Sequence, residues 1–246
     1  MIGFTSTTFR QLNVDKIIDI AVKAGAECIE WGGDIHVKDV ETAKEVKIKC
    51  DKVNLTISSY GGYYRVGSNL VENWRKNCEI ATALGAKTIR VWLGIKGSNK
   101  TTDNEFLNLV SDGKQMAQVA SKYGLIIASE CHANTYNDTA ESTIKFLKAV
   151  DKDNFKTYFQ SRYRDTECDC NRLIYTLPYV QNVHISYSEK LRMQIFHKKD
   201  NNCINKFLDI LNSNKFMGNI LLEYTFLNNP KAFIKDLQKI KARIKL

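Results

Sequence analysis

Short apolar runs recur along the whole chain and alternate with stretches that have the periodicity of amphipathic helices. Eight such runs in 246 residues give about 31 residues per unit, the length of a strand, a helix and their loops. Helices between strands require crossover connections, which favour parallel pairing. We predict the strands at Ile2–Ser6, Cys28–Trp31, Leu55–Tyr60, Thr88–Leu93, Leu125–Glu130, Lys156–Gln160, Asn182–Ser186 and Ile220–Tyr224.

Helix-capping residues separate these units. Asn13 is a suitable N-cap for the first helix, and Thr102 with Glu105 has the spacing of a capping box. Asp138 and Glu141 repeat that spacing before a later apolar helical stretch. The sequence therefore places helices between the predicted strands.

The number of units favours a closed barrel over an open doubly wound sheet. No linker rich in Pro, Gly or Ser divides the chain, and the first strand lacks the glycine-rich turn of open nucleotide-binding sheets. We predict a single-domain (β/α)8 TIM barrel of the α/β class that spans residues 1–246.

Composition narrows the class of protein. The chain is 43% hydrophobic and 26% charged, as in globular proteins, and it lacks an apolar span of about 20 residues. Its seven cysteines are scattered and odd in number, and no basic-then-apolar signal is visible at its start. These features favour free thiols in a reducing compartment, and we expect a cytoplasmic protein that is not membrane-bound.

The formal net charge of +9 would attract nucleic acid or phosphorylated metabolites. However, the lysines are spread along most predicted helices, a pattern typical of a solvated outer face. A nucleic-acid partner is therefore not favoured.

Four polar residues stand near the ends of predicted strands in the second half of the chain: Glu130, Gln160, His184 and Glu223. In a parallel barrel these ends face one shared pocket. Carboxylate, amide and imidazole groups are ligands of divalent metals, so the four residues are candidate metal ligands.

Each candidate also has a structural interpretation. Glu130 and Glu223 suit salt bridges at a barrel rim, His184 a hydrogen-bonded core position, and Gln160 a hydrogen-bonding pocket position. Two carboxylates in one pocket would nevertheless repel each other unless a cation lay between them.

Other polar and aromatic residues follow or end predicted strands. Trp31 is a candidate wall for a sugar ring, and His36 is either a donor to a substrate hydroxyl or phosphate or a solvent-facing histidine. An inward-pointing Arg90 needs a carboxylate or phosphate partner, and Glu130 is one candidate. Arg162 is either a ligand for an anionic substrate or a solvated surface residue.

These residues lie in motifs that resemble the xylose isomerase-like TIM barrels of the sugar phosphate isomerase/epimerase group. The resemblance covers nearly the whole chain, in Gly3–Arg10, Ile29–His36, Ile89–Gly94, Glu130–Thr135, Phe159–Arg162 and Leu222–Tyr224. Related members include isomerases, epimerases, dehydratases and apurinic-site endonucleases, so the resemblance leaves the substrate open.

The resemblance implies one divalent ion held by Glu130, Gln160, His184 and Glu223, with Gln160 in place of the commoner Asp. Mn²⁺ or Mg²⁺ is favoured by the oxygen ligands, and the imidazole leaves Zn²⁺ or Co²⁺ open. A homodimer is also implied.

The implied activity is that of a metal-dependent sugar or sugar phosphate isomerase/epimerase. In it, Glu130 and Glu223 exchange a proton with a metal-stabilised enediolate, while His36 and His132 position hydroxyls and Arg90 or Arg162 binds anionic groups. Three alternatives remain: a non-catalytic sugar-binding barrel, which Gln160 favours, a dehydratase of keto-sugars or cyclitols, and an apurinic-site endonuclease. The last would need a trinuclear zinc site, for which four histidines are few.

Overall fold

Eight parallel strands close into a barrel in which each strand pairs with its neighbours in sequence and β1 pairs with β8. The computed structural model describes residues 1–160, 166–186 and 198–244. The strands are β1 Ile2–Thr5, β2 Cys28–Gly32, β3 Thr56–Val66, β4 Thr88–Leu93, β5 Ile126–Glu130, β6 Phe155–Gln160, β7 Val180–Ser186 and β8 Asn219–Glu223. The predicted fold, a single-domain (β/α)8 TIM barrel, is confirmed.

Helices follow the strands in the described ranges. They are α1 Val14–Ala24, α2 Val40–Lys52, α3 Val71–Leu84, α4 Asp103–Ser121, α5 Ala140–Val150, α6 Thr166–Thr176, α7 Lys198–Ser213 and α8 Pro230–Arg243. Short 3₁₀ helices lie at Ser6–Phe9, Ser98–Lys100, Leu177–Tyr179 and Phe226–Asn228. Among the described residues, no helix combines the length and the apolar character needed to cross a membrane.

Two predicted helix starts are confirmed. The side chain of Asn13 accepts a hydrogen bond of 3.0 Å from the backbone N–H of Lys16, which caps α1. In α4, Thr102 accepts from the backbone N–H of Glu105, whose carboxylate accepts from the backbone N–H of Thr102 in return. These contacts satisfy N–H groups that have no partner within their helix.

The predicted start of α5 is wrong by one residue. The N-cap is Thr139, which forms a capping box with Ser142, rather than Asp138 with Glu141. Asp138 instead accepts a hydrogen bond of 3.2 Å from the backbone N–H of Ser98, which lies in the loop after β4. A contact between two loops therefore overrides the local capping pattern.

Strand β3 is longer than predicted and continues past Tyr60 to Val66. Its pairing with β4 shifts register between Gly61 and Arg65, and within the shifted segment Tyr63 has a φ of 54°. A left-handed conformation is uncommon for a bulky residue. The residues that follow the predicted end of this strand thus form a bulged continuation of it, which lies beside the carboxyl ends of β2 and β4.

The barrel interior contains a small buried cluster that we call the neutral layer: Cys28, Ala128, Tyr158 and Leu221. It is separate from the larger core that the outer faces of the strands share with the helices. Because side chains alternate along a strand, residues two positions further on point into the barrel again, nearer its carboxyl end. Those next inward positions are Glu30, Glu130, Gln160 and Glu223.

Candidate metal centre

Three of the predicted ligands converge at the carboxyl end of the barrel. Glu130 ends β5, His184 lies in β7 and Glu223 ends β8, and one ligand atom from each lies within 4.8 Å of the others. Nδ1 of His184 is 3.3 Å from Oε1 of Glu130 and 4.0 Å from Oε2 of Glu223. All three residues are buried.

The fourth predicted ligand, Gln160, lies against this group at the end of β6. Its side-chain amide nitrogen donates a hydrogen bond of 2.9 Å to Oε2 of Glu223. The carboxamide is therefore within reach of the same site, although the contact formed here uses the nitrogen and not the oxygen that would bind a metal.

Arg90 connects Glu130 to a further carboxylate, that of Glu30. Its Nε donates a hydrogen bond of 2.9 Å to Oε1 of Glu30, and its Nη1 donates to Oε2 of Glu130. The latter oxygen also accepts a hydrogen bond of 2.6 Å from the indole N–H of Trp92. With 3% of its surface exposed, Arg90 has the carboxylate partners that a buried guanidinium requires.

Sequence reasoning assigned no role to Glu30, which lies at the centre of this network. Its Oε2 accepts hydrogen bonds of 2.8 Å from the hydroxyls of Ser59 and Tyr158, and its Oε1 lies 3.5 Å from Nε2 of His184. A signal was available, because Glu30 is a carboxylate near the end of the apolar run Cys28–Trp31, as Glu130 is at the end of its own run.

We call the five ionisable residues of this network the charged layer: Glu30, Arg90, Glu130, His184 and Glu223. An imidazole that binds a metal is neutral, and three carboxylates and one guanidinium then leave a formal charge of about −2 in a buried space. An uncompensated charge of this size is costly at low dielectric constant, and one divalent cation would offset it.

The pKa directions reflect the same imbalance. Burial alone would raise the pKa of Glu130, but the charge of Arg90 and hydrogen bonds from His184 and Trp92 lower it. Burial would lower the pKa of His184, but Glu30 and Glu130 raise it to about 10. The pKa of Glu223 is raised by burial and by the neighbouring Glu130. The site therefore attracts positive charge.

The residues present fit a single divalent ion. Atoms that lie about 2.0–2.3 Å from one ion are within about 4–5 Å of each other, as the three ligand atoms are. Two carboxylates, an imidazole and a neighbouring amide are a mixed oxygen and nitrogen donor set, which suits Mn²⁺ or Mg²⁺ and also accommodates Zn²⁺ or Co²⁺.

Two residues predicted to contact the substrate are buried inside the protein. Trp31 has no exposed surface and belongs to the core between strands and helices, because alternation turns it away from the inward-facing Glu30. Trp31 therefore presents no exposed face to a substrate. In His36, Nδ1 lies 2.9 Å from the hydroxyl of Ser6 and Nε2 lies 3.2 Å from the carbonyl of Leu12.

Residues in and after the strands also lie beside the charged layer. The exposed ring of His132 has its centroid 5.2 Å from that of Trp92, the residue that donates to Glu130. The Tyr63 ring lies 5.1 Å from the guanidinium carbon of Arg90 and meets Trp92 edge-on. Arg162, predicted to bind an anionic group, lies outside the described residues.

The fold and this cluster define a TIM barrel with a candidate metal centre at the carboxyl ends of its strands. Residues 18–243 match the family model described as xylose isomerase-like TIM barrel, and the chain belongs to that family.

A curated relative of this chain is an enzyme. The 3-dehydroshikimate dehydratase of Bacillus anthracis is 27% identical over 150 residues, which are 57% of this chain and 53% of the dehydratase. The match thus spans about half the length of that curated relative.

Solved structures with low sequence identity share the fold. A probable 3-DHS dehydratase from Bacillus anthracis superposes with a TM-score of 0.77 at 18% identity, covering 98% of each chain. A D-allulose 3-epimerase from Methylomonas sp. gives 0.75 at 17% identity, covering 99% of this chain and 97% of its own. A 3-keto-D-glucoside 4-epimerase from E. coli gives 0.76 at 15% identity, covering 98% of each chain.

Proposed function

We propose that the protein is a divalent-metal-dependent enzyme that isomerises or epimerises a sugar or sugar phosphate by moving a proton next to a carbonyl. The observation that carries the proposal is the convergence of buried Glu130, His184 and Glu223 on one point at the carboxyl end of the barrel. Active sites of this fold lie at that end.

Glu130, Gln160, His184 and Glu223 would hold the ion, with the Gln160 amide turned so that its oxygen faces the site. When bound, a divalent ion supplies Lewis-acid polarisation of a carbonyl and of the hydroxyl beside it, which makes the neighbouring C–H more acidic. Mn²⁺ or Mg²⁺ is the first choice from the oxygen ligands.

The two glutamates differ in their surroundings and hence in their suitability as the base. Glu130 accepts hydrogen bonds from the cationic Arg90 and from Trp92, which stabilise it as an anion. Glu223 accepts a hydrogen bond from the uncharged Gln160. We therefore assign the first proton abstraction to Glu223 and propose Glu130 as the group that exchanges a proton on the other face of the substrate.

Residues around the charged layer would bind the rest of the substrate. His132 is exposed beside Trp92 and can donate to a hydroxyl, and His36 can do so if it leaves its contact with Ser6. Arg162 is proposed for an anionic group. Arg90 would act on the substrate through Glu130, because two of its nitrogens are occupied by carboxylates. The expected homodimer stays a prediction.

A dehydratase is the second candidate, and the relative that favours it is the 27% identical 3-dehydroshikimate dehydratase. Removal of the same kind of proton, followed by loss of a hydroxyl from the next carbon as water, needs the same base. The two reactions differ in the product, which has the mass of the substrate after isomerisation and lacks one water after dehydration.

The test combines a substrate panel with a substitution of the base. Protein loaded with Mn²⁺ would be incubated in D₂O with ketoses, ketose phosphates and 3-dehydroshikimate, and products followed by NMR and mass spectrometry. Glu223→Gln should abolish deuterium incorporation into an accepted substrate, because an amide cannot take up the proton. The control is Glu72→Gln, which removes a carboxylate that is 87% exposed on α3.

Undiminished exchange in Glu223→Gln would refute the role of this residue. Tight sugar binding without turnover in the metal-loaded wild-type protein would instead support a non-catalytic sugar-binding barrel.

A further inference from the structure

We infer that Glu30 is a positioning residue for the metal centre: it orients His184 so that Nδ1 faces the cation and, through Arg90, fixes Glu130. Glu30 is not one of the four proposed ligands. The inference rests on the proposed metal-dependent function and adds a residue from the first half of the chain to it.

The two ring nitrogens of His184 face different carboxylates. Nδ1 lies on the side of Glu130 and Glu223, at 3.3 and 4.0 Å, where the ligand atoms converge. Nε2 is buried and has no hydrogen-bond partner among the described residues, and Oε1 of Glu30 lies 3.5 Å from it. A small rotation of the ring would bring this pair to hydrogen-bond distance.

A metal-bound imidazole carries one proton, and this arrangement selects which nitrogen keeps it. A proton on Nε2 points at the Glu30 carboxylate and leaves the lone pair of Nδ1 for a cation. A proton on Nδ1 would occupy the position of the cation and turn the Nε2 lone pair toward a carboxylate. The partner of the second nitrogen generally decides which nitrogen of a histidine binds metal.

Glu30 is itself held in place, as a positioning residue must be. Only 1% of its surface is exposed, and its Oε2 accepts from the hydroxyls of Ser59 and Tyr158, both at 2.8 Å. Its Oε1 is directed at Arg90 and His184, at 2.9 and 3.5 Å. Each oxygen therefore has its own partners, which fixes the plane of the carboxylate.

Arg90 links Glu30 to a proposed metal ligand. One guanidinium binds both Glu30 and Glu130. If Glu30 lost its charge, Arg90 would interact more strongly with Glu130, and Glu130 would become a weaker donor to a metal. Glu30→Gln should thus disturb two ligands at once, while all four ligand residues remain in the chain.

The first test uses the wild-type protein labelled with ¹⁵N-histidine and loaded with Zn²⁺. The chain has four histidines, and His184→Gln identifies the signal of His184 by its loss. Long-range ¹H–¹⁵N spectra should show Nδ1 bound to zinc and a proton on Nε2. Zinc on Nε2 would overturn the inference.

The second test measures Mn²⁺ affinity by titration calorimetry in wild type, Glu30→Gln and the exposed control Glu72→Gln, with folding checked by circular dichroism. Loss of a residue that supports a ligand typically costs about 10–100-fold in metal affinity. We expect a loss in that range for Glu30→Gln and none beyond about twofold for Glu72→Gln. A folded Glu30→Gln protein with wild-type affinity would overturn the inference.

The outcomes separate this inference from the proposed function. Wild-type protein that binds neither Zn²⁺ nor Mn²⁺ would remove the proposed metal-dependent function and this inference with it. Wild-type binding with Nε2 as the ligand, or with no effect of Glu30→Gln, would remove the role of Glu30 alone. If Glu30→Gln does not fold, the wild-type spectrum decides.

Discussion

The neutral layer and the charged layer lie two residues apart on the same strands, yet they have opposite characters. Cys28, Ala128 and Leu221 in the neutral layer each precede a glutamate of the charged layer by two positions. Packing in the neutral layer stabilises the barrel, whereas the charges in the charged layer are desolvated and depend on one another. One step of strand alternation therefore separates a structural role from the proposed chemical one.

The largest effect on stability should come from Arg90→Met, which tests whether the charged layer depends on the buried guanidinium of Arg90. The substitution leaves Glu30 and Glu130 buried without their shared partner, and removal of one member of a buried ion pair costs about 3–5 kcal/mol. Urea unfolding in the presence of a chelator should show this loss. The control Arg75→Met removes a side chain that is 49% exposed and should change stability by less than about 0.5 kcal/mol. A loss for Arg90→Met below about 1 kcal/mol would contradict the bridging role.

Leu221→Ala tests the neutral layer. Leu221 has no exposed surface, and its truncation in a packed interior should lower the free energy of unfolding by about 3 kcal/mol. Mn²⁺ affinity measured by calorimetry should stay within about twofold of wild type, because no charge is altered. Leu107→Ala, at a position that is 63% exposed, is the matched control. A large loss of metal affinity would show that the layers are not separable.

A third region, around Asp236, contains a buried carboxylate that lies outside both layers. Asp236 on α8 is 4% exposed and accepts a hydrogen bond of 2.7 Å from the hydroxyl of Thr225. Burial raises its pKa from 3.8 to about 6.

A raised pKa means that the protonated form of Asp236 is favoured in the folded protein. Its contribution to stability is complete below pH 3.8 and is lost as the pH rises through about 6. The stability of wild type relative to Asp236→Asn should therefore fall by about 2 kcal/mol between pH 4 and 7. Urea unfolding at several pH values measures this difference, with the exposed Asp19→Asn as control. A difference that is flat with pH would exclude the shift.

The sequence alone predicted the barrel and the convergence of Glu130, His184 and Glu223. The strands were visible because their apolar runs are short and regular, and Glu130 and Glu223 stood out because each ends such a run. Because the strands are parallel, their carboxyl ends lie at the same edge of the barrel, which brings residues that are distant in sequence together.

The remaining features depend on contacts that the local sequence does not encode. The sequence indicated that an inward-pointing Arg90 needs a partner. That Arg90 donates to both Glu30 and Glu130 follows from the closure of the barrel. The loop contact of Asp138 moved the start of α5. The burial of Trp31 in the outer core, by contrast, could have been predicted, because strand alternation turns its side chain away from that of Glu30.

Gln160 has a consequence for what can approach the centre. A carboxylate at this position would add one more negative charge beside Glu223, whereas the amide adds none. With a divalent ion in place, the charged layer and its cation sum to zero and would not repel a phosphate or carboxylate group. A metal-loaded centre would thus impose no electrostatic barrier against acidic metabolites.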